Sequence, residues 1–302
     1  MTSIILLFLC LFIGIGIRYI KAFPRNTHTT LNQFIIYISL PAMALHYLPK
    51  INFSWDLLFP VAVPWIAFAG AFLLFAGLGK LFGWSRSLIG CLILTGGLGN
   101  TSFVGIPVIE ALYGQEGLKT LIMVDLPGTF VALSTVGILV ATIYSRGENN
   151  FGLIFRKIFT FPPFIVFLIG IGLNLLNVQF PDYLDEVFYK LSATITPIAL
   201  VSVGFQLKIK ERSKHWPFLF LGLSYQLIVL PAFIYLLYIV FLGQKGTAIE
   251  VCVMEAAMAP MITASIISSS YGLKPRLSNM MVGVGIPVSF LTLALWYFIL
   301  QV

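Results

Sequence analysis

The sequence predicts an all-α polytopic membrane protein. Its ten transmembrane helices form two inverted five-helix repeats, and the fourth and ninth are broken. Three observations predict this. Hydrophobic residues make up 59% of the 302 residues and charged residues 10%, against roughly 25% charged in a soluble domain, so polar surface is too scarce to cover a water-facing exterior. The basic residues alternate between rich and poor connections along the chain. Short motifs of the first half recur in the second at a near-constant offset.

A helix crosses a bilayer with about 20 mostly apolar residues. Ten segments qualify: 2–19, 30–48, 57–80, 87–113, 117–144, 158–177, 183–206, 216–242, 247–271 and 275–301. The first is not read as a signal peptide, because no basic stretch precedes it and no small-residue cleavage site follows it, only Arg18, Tyr19 and Lys21. Odd-numbered connections carry Arg18, Lys21, Arg25, Lys80, Arg86, Arg146, Arg156, Lys157, Lys208, Lys210, Arg212, Lys214, Lys274 and Arg276. Even-numbered connections carry Lys50, Lys119, Lys190 and Lys245, one each. By the positive-inside rule the odd connections are cytoplasmic and both termini lie on the other side. The net charge of +7 therefore reports topology and not a nucleic-acid partner. Cys10, Cys91 and Cys252 all sit in apolar runs and read as packing residues, with neither a disulfide framework nor a zinc site indicated.

The chain divides at residues 146 and 147 into two five-helix repeats, 1–146 and 147–302. Leu40-Pro41 answers Thr196-Pro197, and Tyr113-Gly114 answers Tyr271-Gly272. Leu126-Pro127 with Phe130 answers Ile286-Pro287 with Phe290. A unit with an odd number of spans must be inverted relative to its copy. Inverted repeats characterise secondary transporters, which bind substrate near mid-membrane at the repeat interface.

Segment four reads Thr95-Gly-Gly-Leu-Gly-Asn100-Thr-Ser-Phe-Val-Gly105-Ile-Pro107, and segment nine Glu255-Ala-Ala-Met258-Ala-Pro260-Met-Ile-Thr263-Ala-Ser265. Gly and Pro interrupt helices, and unwound backbone is tolerated in a membrane only where it is buried in protein or lines a cavity. The competing reading is a plain proline kink with small residues for close packing. Proline suits the first helical position, so Pro107 and Pro260 are expected to begin second half-helices. Their ends carry free N–H groups and a positive partial charge, which suits an anion. The expected substrate contacts are Asn100, Thr101, Ser102, Gly105, Pro107, Met258, Ala259, Pro260, Thr263 and Ser265. The expected substrate is a small organic anion, most simply a carboxylate, with no cofactor and no metal site. Asp125 and Glu255 each lie about eight residues into a span from the outer side, a depth of roughly 12 Å. A charged carboxylate at such depth costs ~3 kcal/mol or more, so both are expected to couple transport to H+ or Na+; the alternative is a protonated or capping carboxyl with a structural role. Glu110, His46 and Glu250 lie near segment ends and are read as interfacial.

The chain resembles the auxin efflux carrier family, which includes plant PIN-formed proteins and bacterial malate or malonate permeases. The resemblance is carried by Leu31-Asn32, Phe34, Tyr37 and Leu40-Pro41 in segment two, by Gly99-Asn100-Thr-Ser-Phe103-Val-Gly105-Ile-Pro107 in segment four, and by Ala259-Pro260 in segment nine. It covers essentially the whole chain. The resemblance implies a scaffold of segments one, two, six and seven that forms a homodimer. It also implies a mobile domain of segments three to five and eight to ten, crossing at Pro107 and Pro260, and elevator-type movement of an organic anion such as malate, malonate or an auxin-like monocarboxylate. The protein would lie in a plasma or bacterial inner membrane. The long cytoplasmic loop of many plant members is reduced here to a dozen residues, and segment three has no internal acid. Other readings are a sodium-coupled organic-anion symporter of the bile-acid carrier type, a non-transporting anion sensor, a channel and an intramembrane enzyme. The enzyme is opposed by His28, His46 and His215 lying at or beyond segment ends and by the absence of an HExxH motif.

Overall fold

A computed structural model describes residues 2–50, 57–145, 162–206 and 215–301. The predicted join between repeats at residues 146 and 147, and the basic residues Arg146, Arg156, Lys157, Lys208, Lys210, Arg212 and Lys214, lie outside the described residues.

Helices α1 (Thr2–Ile17), α2 (Thr27–Lys50), α3 (Leu58–Leu81) and α4 (Arg86–Gly97) are followed by α5 (Thr101–Tyr144), α6 (Pro162–Leu175) and α7 (Asp182–Phe205). Next come α8 (Trp216–Phe241), α9 (Thr247–Ala256), α10 (Ile262–Ser270) and α11 (Pro275–Leu300). No strand occurs among the described residues. Among the described residues six helices, α2, α3, α5, α7, α8 and α11, are long and apolar enough to cross a membrane. Large apolar side chains such as Leu73, Leu291 and Phe298 stand exposed on them, which fits a surface solvated by lipid.

α5 carries 44 residues, too many for one crossing of a ~30 Å core at 1.5 Å per residue. It is interrupted at Gly114, whose φ of 62° and ψ of −153° lie outside the helical region. That is where the sequence separates segments four and five. Gly272, after Tyr271, likewise takes a positive φ of 71°, so both Tyr-Gly pairs end a helix on a glycine free to adopt it.

The described residues pack as two compact units. The first draws on the described residues within Met1–Trp55, Ser102–Ile122 and Gly152–Leu207. Here α1 and α7 approach closely because both are glycine at the contact. A Cβ on Gly14 would stand 2.2 Å from the Val201 carbonyl oxygen, and one on Gly204 would stand 2.1 Å from that of Leu11. Such glycines let apolar helices gain dispersion contact where no hydrophobic driving force operates between them. Polar pairs add direction. The Ser39 and Thr194 hydroxyls bond at 2.7 Å, and Asn174 Nδ2 donates to the carbonyls of Leu48 and Pro49.

The second unit draws on Asp56–Thr101, Met123–Phe151 and Lys208–Val302. α3 lies along α4, with Gly97 against Ala71 and Phe68. Tyr225 Oη donates to the Ala67 carbonyl at 2.7 Å, and Trp296 Nε1 donates to that of Leu227 at 3.0 Å. These bonds tie α8 to α3 and to α11. The α4 and α9 interior is almost wholly buried, and this core surrounds the two helix breaks.

Candidate functional site

α4 stops at Gly97, and Leu98 turns to extended backbone at φ −128° and ψ 119°. α9 stops at Ala256, and the chain runs unwound through Ala257–Met261 before α10 starts. The two interruptions face each other antiparallel, Gly99 opposite Pro260. Asn100 N–H donates to the Ala259 carbonyl at 2.7 Å, and Met261 N–H donates to the Leu98 carbonyl at 3.0 Å. Each break thereby satisfies the backbone groups that the other exposes. In an apolar interior an unmade backbone hydrogen bond is costly, so two breaks are stable together where one alone is not. Glycine permits the approach: a Cβ on Gly97 would fall 2.8 Å from Ala71 Cβ, and one on Gly285 of α11 would fall 2.5 Å from Pro260 Cδ.

A side chain from outside both breaks joins them. Gln226 of α8 is buried, and its Nε2 donates to the Leu98 carbonyl at 3.1 Å and to the Ala259 carbonyl at 3.2 Å. Sequence reasoning missed this residue. The available signal was that Gln226 is the lone amide in segment 216–242, which has no charged residue.

The crossing is lined by buried polar groups. Asn100 is 1% exposed and Glu255 2%. Neither carboxyl oxygen of Glu255 has a hydrogen-bond partner among the described residues. Thr101 Oγ1 donates to Asp125 Oδ1 at 2.5 Å, and the Asp125 and Glu255 carboxyls are close enough to interact electrostatically. Two ionised carboxylates in one apolar interior repel each other, which disfavours both being charged at once.

Of the expected contacts, Asn100, Thr101, Met258, Ala259, Pro260, Thr263 and Ser265 belong to this unit together with Asp125 and Glu255, whereas Ser102, Gly105 and Pro107 pack in the other unit. Ser265 Oγ bonds Ser278 Oγ at 2.7 Å, and Ser278 also donates to the Ser265 carbonyl. That hydroxyl therefore fastens α10 to α11. The expected half-helix starts are also corrected. α5 starts at Thr101 and is wound as π-helix through Gly105, so Pro107 lies inside the helix. The wider winding before it accommodates a ring that clashes with the carbonyl four residues earlier in regular α-helix. Pro260 lies in the break itself, and α10 begins at Ile262.

Glu110, read from sequence as interfacial, accepts a 2.7 Å hydrogen bond from Thr196 Oγ1 in the first unit. It lines a crevice there with Tyr47, Gln115, Tyr189 and Ser192. His46 and Lys50 both bond Asp185.

Comparison with known proteins gives the same direction over the full length. The family model described as "Membrane transport protein" matches residues 1–297. An uncharacterized transporter of Methanocaldococcus jannaschii is 26% identical across 99% of this chain and 98% of its own. A second uncharacterized transporter, from Methanothermobacter thermautotrophicus, is 26% identical across 67% of this chain and 65% of its own. Auxin efflux carrier component 5 of Arabidopsis thaliana is 21% identical across 98% of this chain and 95% of its own.

Proposed function

We propose that this chain, which belongs to the membrane transport protein family that includes auxin efflux carriers, moves a small organic anion across the membrane by an elevator-type cycle. It is a multi-pass membrane transporter and not an enzyme. The observation that carries the anion reading is the pair of unwound segments sealed against each other at Gly99 and Pro260. The first N–H groups of α10 have no partner within their own helix and carry its positive end. The buried amide of Asn100 lies in the facing break. A carboxylate substrate fits that donor set, and a site built of dipoles and amides holds it weakly enough to release.

The carboxyl of Glu255, buried with no hydrogen-bond partner among the described residues, favours cation coupling. A proton on Glu255, or a sodium ion against it, would offset the charge that the substrate brings into the same interior. Sodium-coupled symport is thus the second reading, and the same carboxyl supports it. In the proposed cycle the second unit, with both breaks, carries the substrate, and helices α1, α2, α6 and α7 form a dimeric scaffold. Ten crossings in two inverted repeats, both termini outside the cytoplasm and residence in the cell membrane complete the proposal. The test is transport by the purified protein in liposomes, with malate, malonate, succinate, lactate and indole-3-acetate offered separately. A saturable flux of one of them supports the reading, and flux of none removes the organic-anion assignment.

A further inference from the structure

We infer that Gln226 is a positioning residue that keys the two helix breaks into a single register. This inference rests on the reading of the crossing as the transport site.

Gln226 is 1% exposed and sits in the π-wound stretch Tyr225–Val229 of α8. A π turn adds one residue to the helical repeat and turns a side chain away from the face it would otherwise take. Nε2 reaches the Leu98 and Ala259 carbonyls together, and these are the two carbonyls that already accept from Met261 and Asn100. Each thus uses both lone pairs, and both amide hydrogens of Gln226 are engaged. The amide orientation follows from its partners: turned over, Oε1 would point at two carbonyl oxygens. As it stands, Oε1 is buried and has no hydrogen-bond partner among the described residues.

The bridge has a physical consequence. Two backbone hydrogen bonds alone leave the breaks free to slip or part, because each has ended its own helix. A third element donating to both carbonyls fixes their relative position, and with it the distance between the Asn100 amide and the α10 terminus. α8 is itself anchored at adjacent residues, with Tyr225 bonded to Ala67 and Leu227 accepting from Trp296. Gln226 therefore refers the crossing to α3 and α11, the two helices on either side.

The test uses two full-length variants and two readouts. Gln226→Met keeps the length of the side chain and removes both donors. Gln226→Glu removes both donors when ionised and restores one when protonated. In detergent, amide hydrogen exchange within 98–101 and 257–262 should run at least about tenfold faster in Gln226→Met, since one lost buried hydrogen bond already gives about that factor and this variant loses two, with exchange in α1 and α7 unchanged. Should either variant misfold, the other carries this arm. In liposomes the flux of Gln226→Glu relative to the unaltered protein should rise as pH falls, while that of Gln226→Met stays flat. The other titratable groups buried in this unit, Asp125, Glu255, Cys91, Cys252, Tyr225 and Tyr238, are common to all three proteins and cancel in the ratio. Unchanged exchange at the two breaks, or a pH-independent ratio for Gln226→Glu, overturns the inference. Failure of the unaltered protein to move any anion overturns the transport reading instead, and the exchange arm still decides the role of Gln226.

Discussion

Asn100 and Ala259 come from opposite halves of the sequence, and the backbone N–H of the first donates to the carbonyl of the second at 2.7 Å. That bond and its partner from Met261 to Leu98 turn two helix interruptions into one structural object. Neither break is a defect in its own helix, because each supplies what the other lacks.

Glu255→Gln keeps the shape of a buried side chain and removes its charge and its titration. Folded yield should be unchanged or higher, since both oxygens of Glu255 are buried without hydrogen-bond partners among the described residues. Flux should lose its dependence on pH or on sodium, whichever the unaltered protein shows. Dependence that survives the substitution excludes Glu255 as the coupling group.

Asp125→Asn retains an acceptor for the Thr101 hydroxyl and removes the second buried acid. Its pH profile of transport should flatten if the proton is shared between Asp125 and Glu255. An unchanged profile removes Asp125 from the coupling step.

Gly97→Ala places a methyl 2.8 Å from Ala71 Cβ and 3.3 Å from Phe68 Cα. Overpacking of this kind costs about 1–3 kcal/mol and should lower the melting temperature. Gly77→Ala on α3 meets nothing within 4 Å and should be neutral or stabilising by up to ~1 kcal/mol. Equal melting temperatures for the two variants would contradict the packing described for α3 and α4.

Asp185→Asn removes the charge that His46 and Lys50 share. The Lys50 side chain is 42% exposed, so solvent screens the pair and the loss should be ~1 kcal/mol or less, with flux unaltered. A large loss of flux would give the end of α2 a role in transport that its position does not suggest.

Much of this was legible in the sequence because glycine and proline act locally. The breaks fall where Gly96, Gly97, Gly99 and Pro260 stand, and the turns after Tyr113 and Tyr271 use the glycines that follow. What was not legible depended on winding or on distant partners. Pro107 was expected to begin a helix, yet a π-wound turn from Thr101 carries the helix past it, and nothing in the residue types distinguishes that winding from a break. Ser265 was expected to contact substrate, and its hydroxyl partner Ser278, on the following helix, is not visible in the spacing of the sequence. Gln226 reads as an ordinary amide in an apolar span until the two carbonyls it reaches are known.

In the proposed cycle the paired breaks carry an organic anion through the membrane. Transient currents from reconstituted protein on a supported membrane test it most directly, with each carboxylate applied as a concentration jump and with pH and sodium varied separately. A saturable current is expected for at least one carboxylate, modulated by pH or sodium in the unaltered protein and insensitive to both in Glu255→Gln. Silence for every carboxylate, with no shift in melting temperature on adding the same ligands, would contradict it.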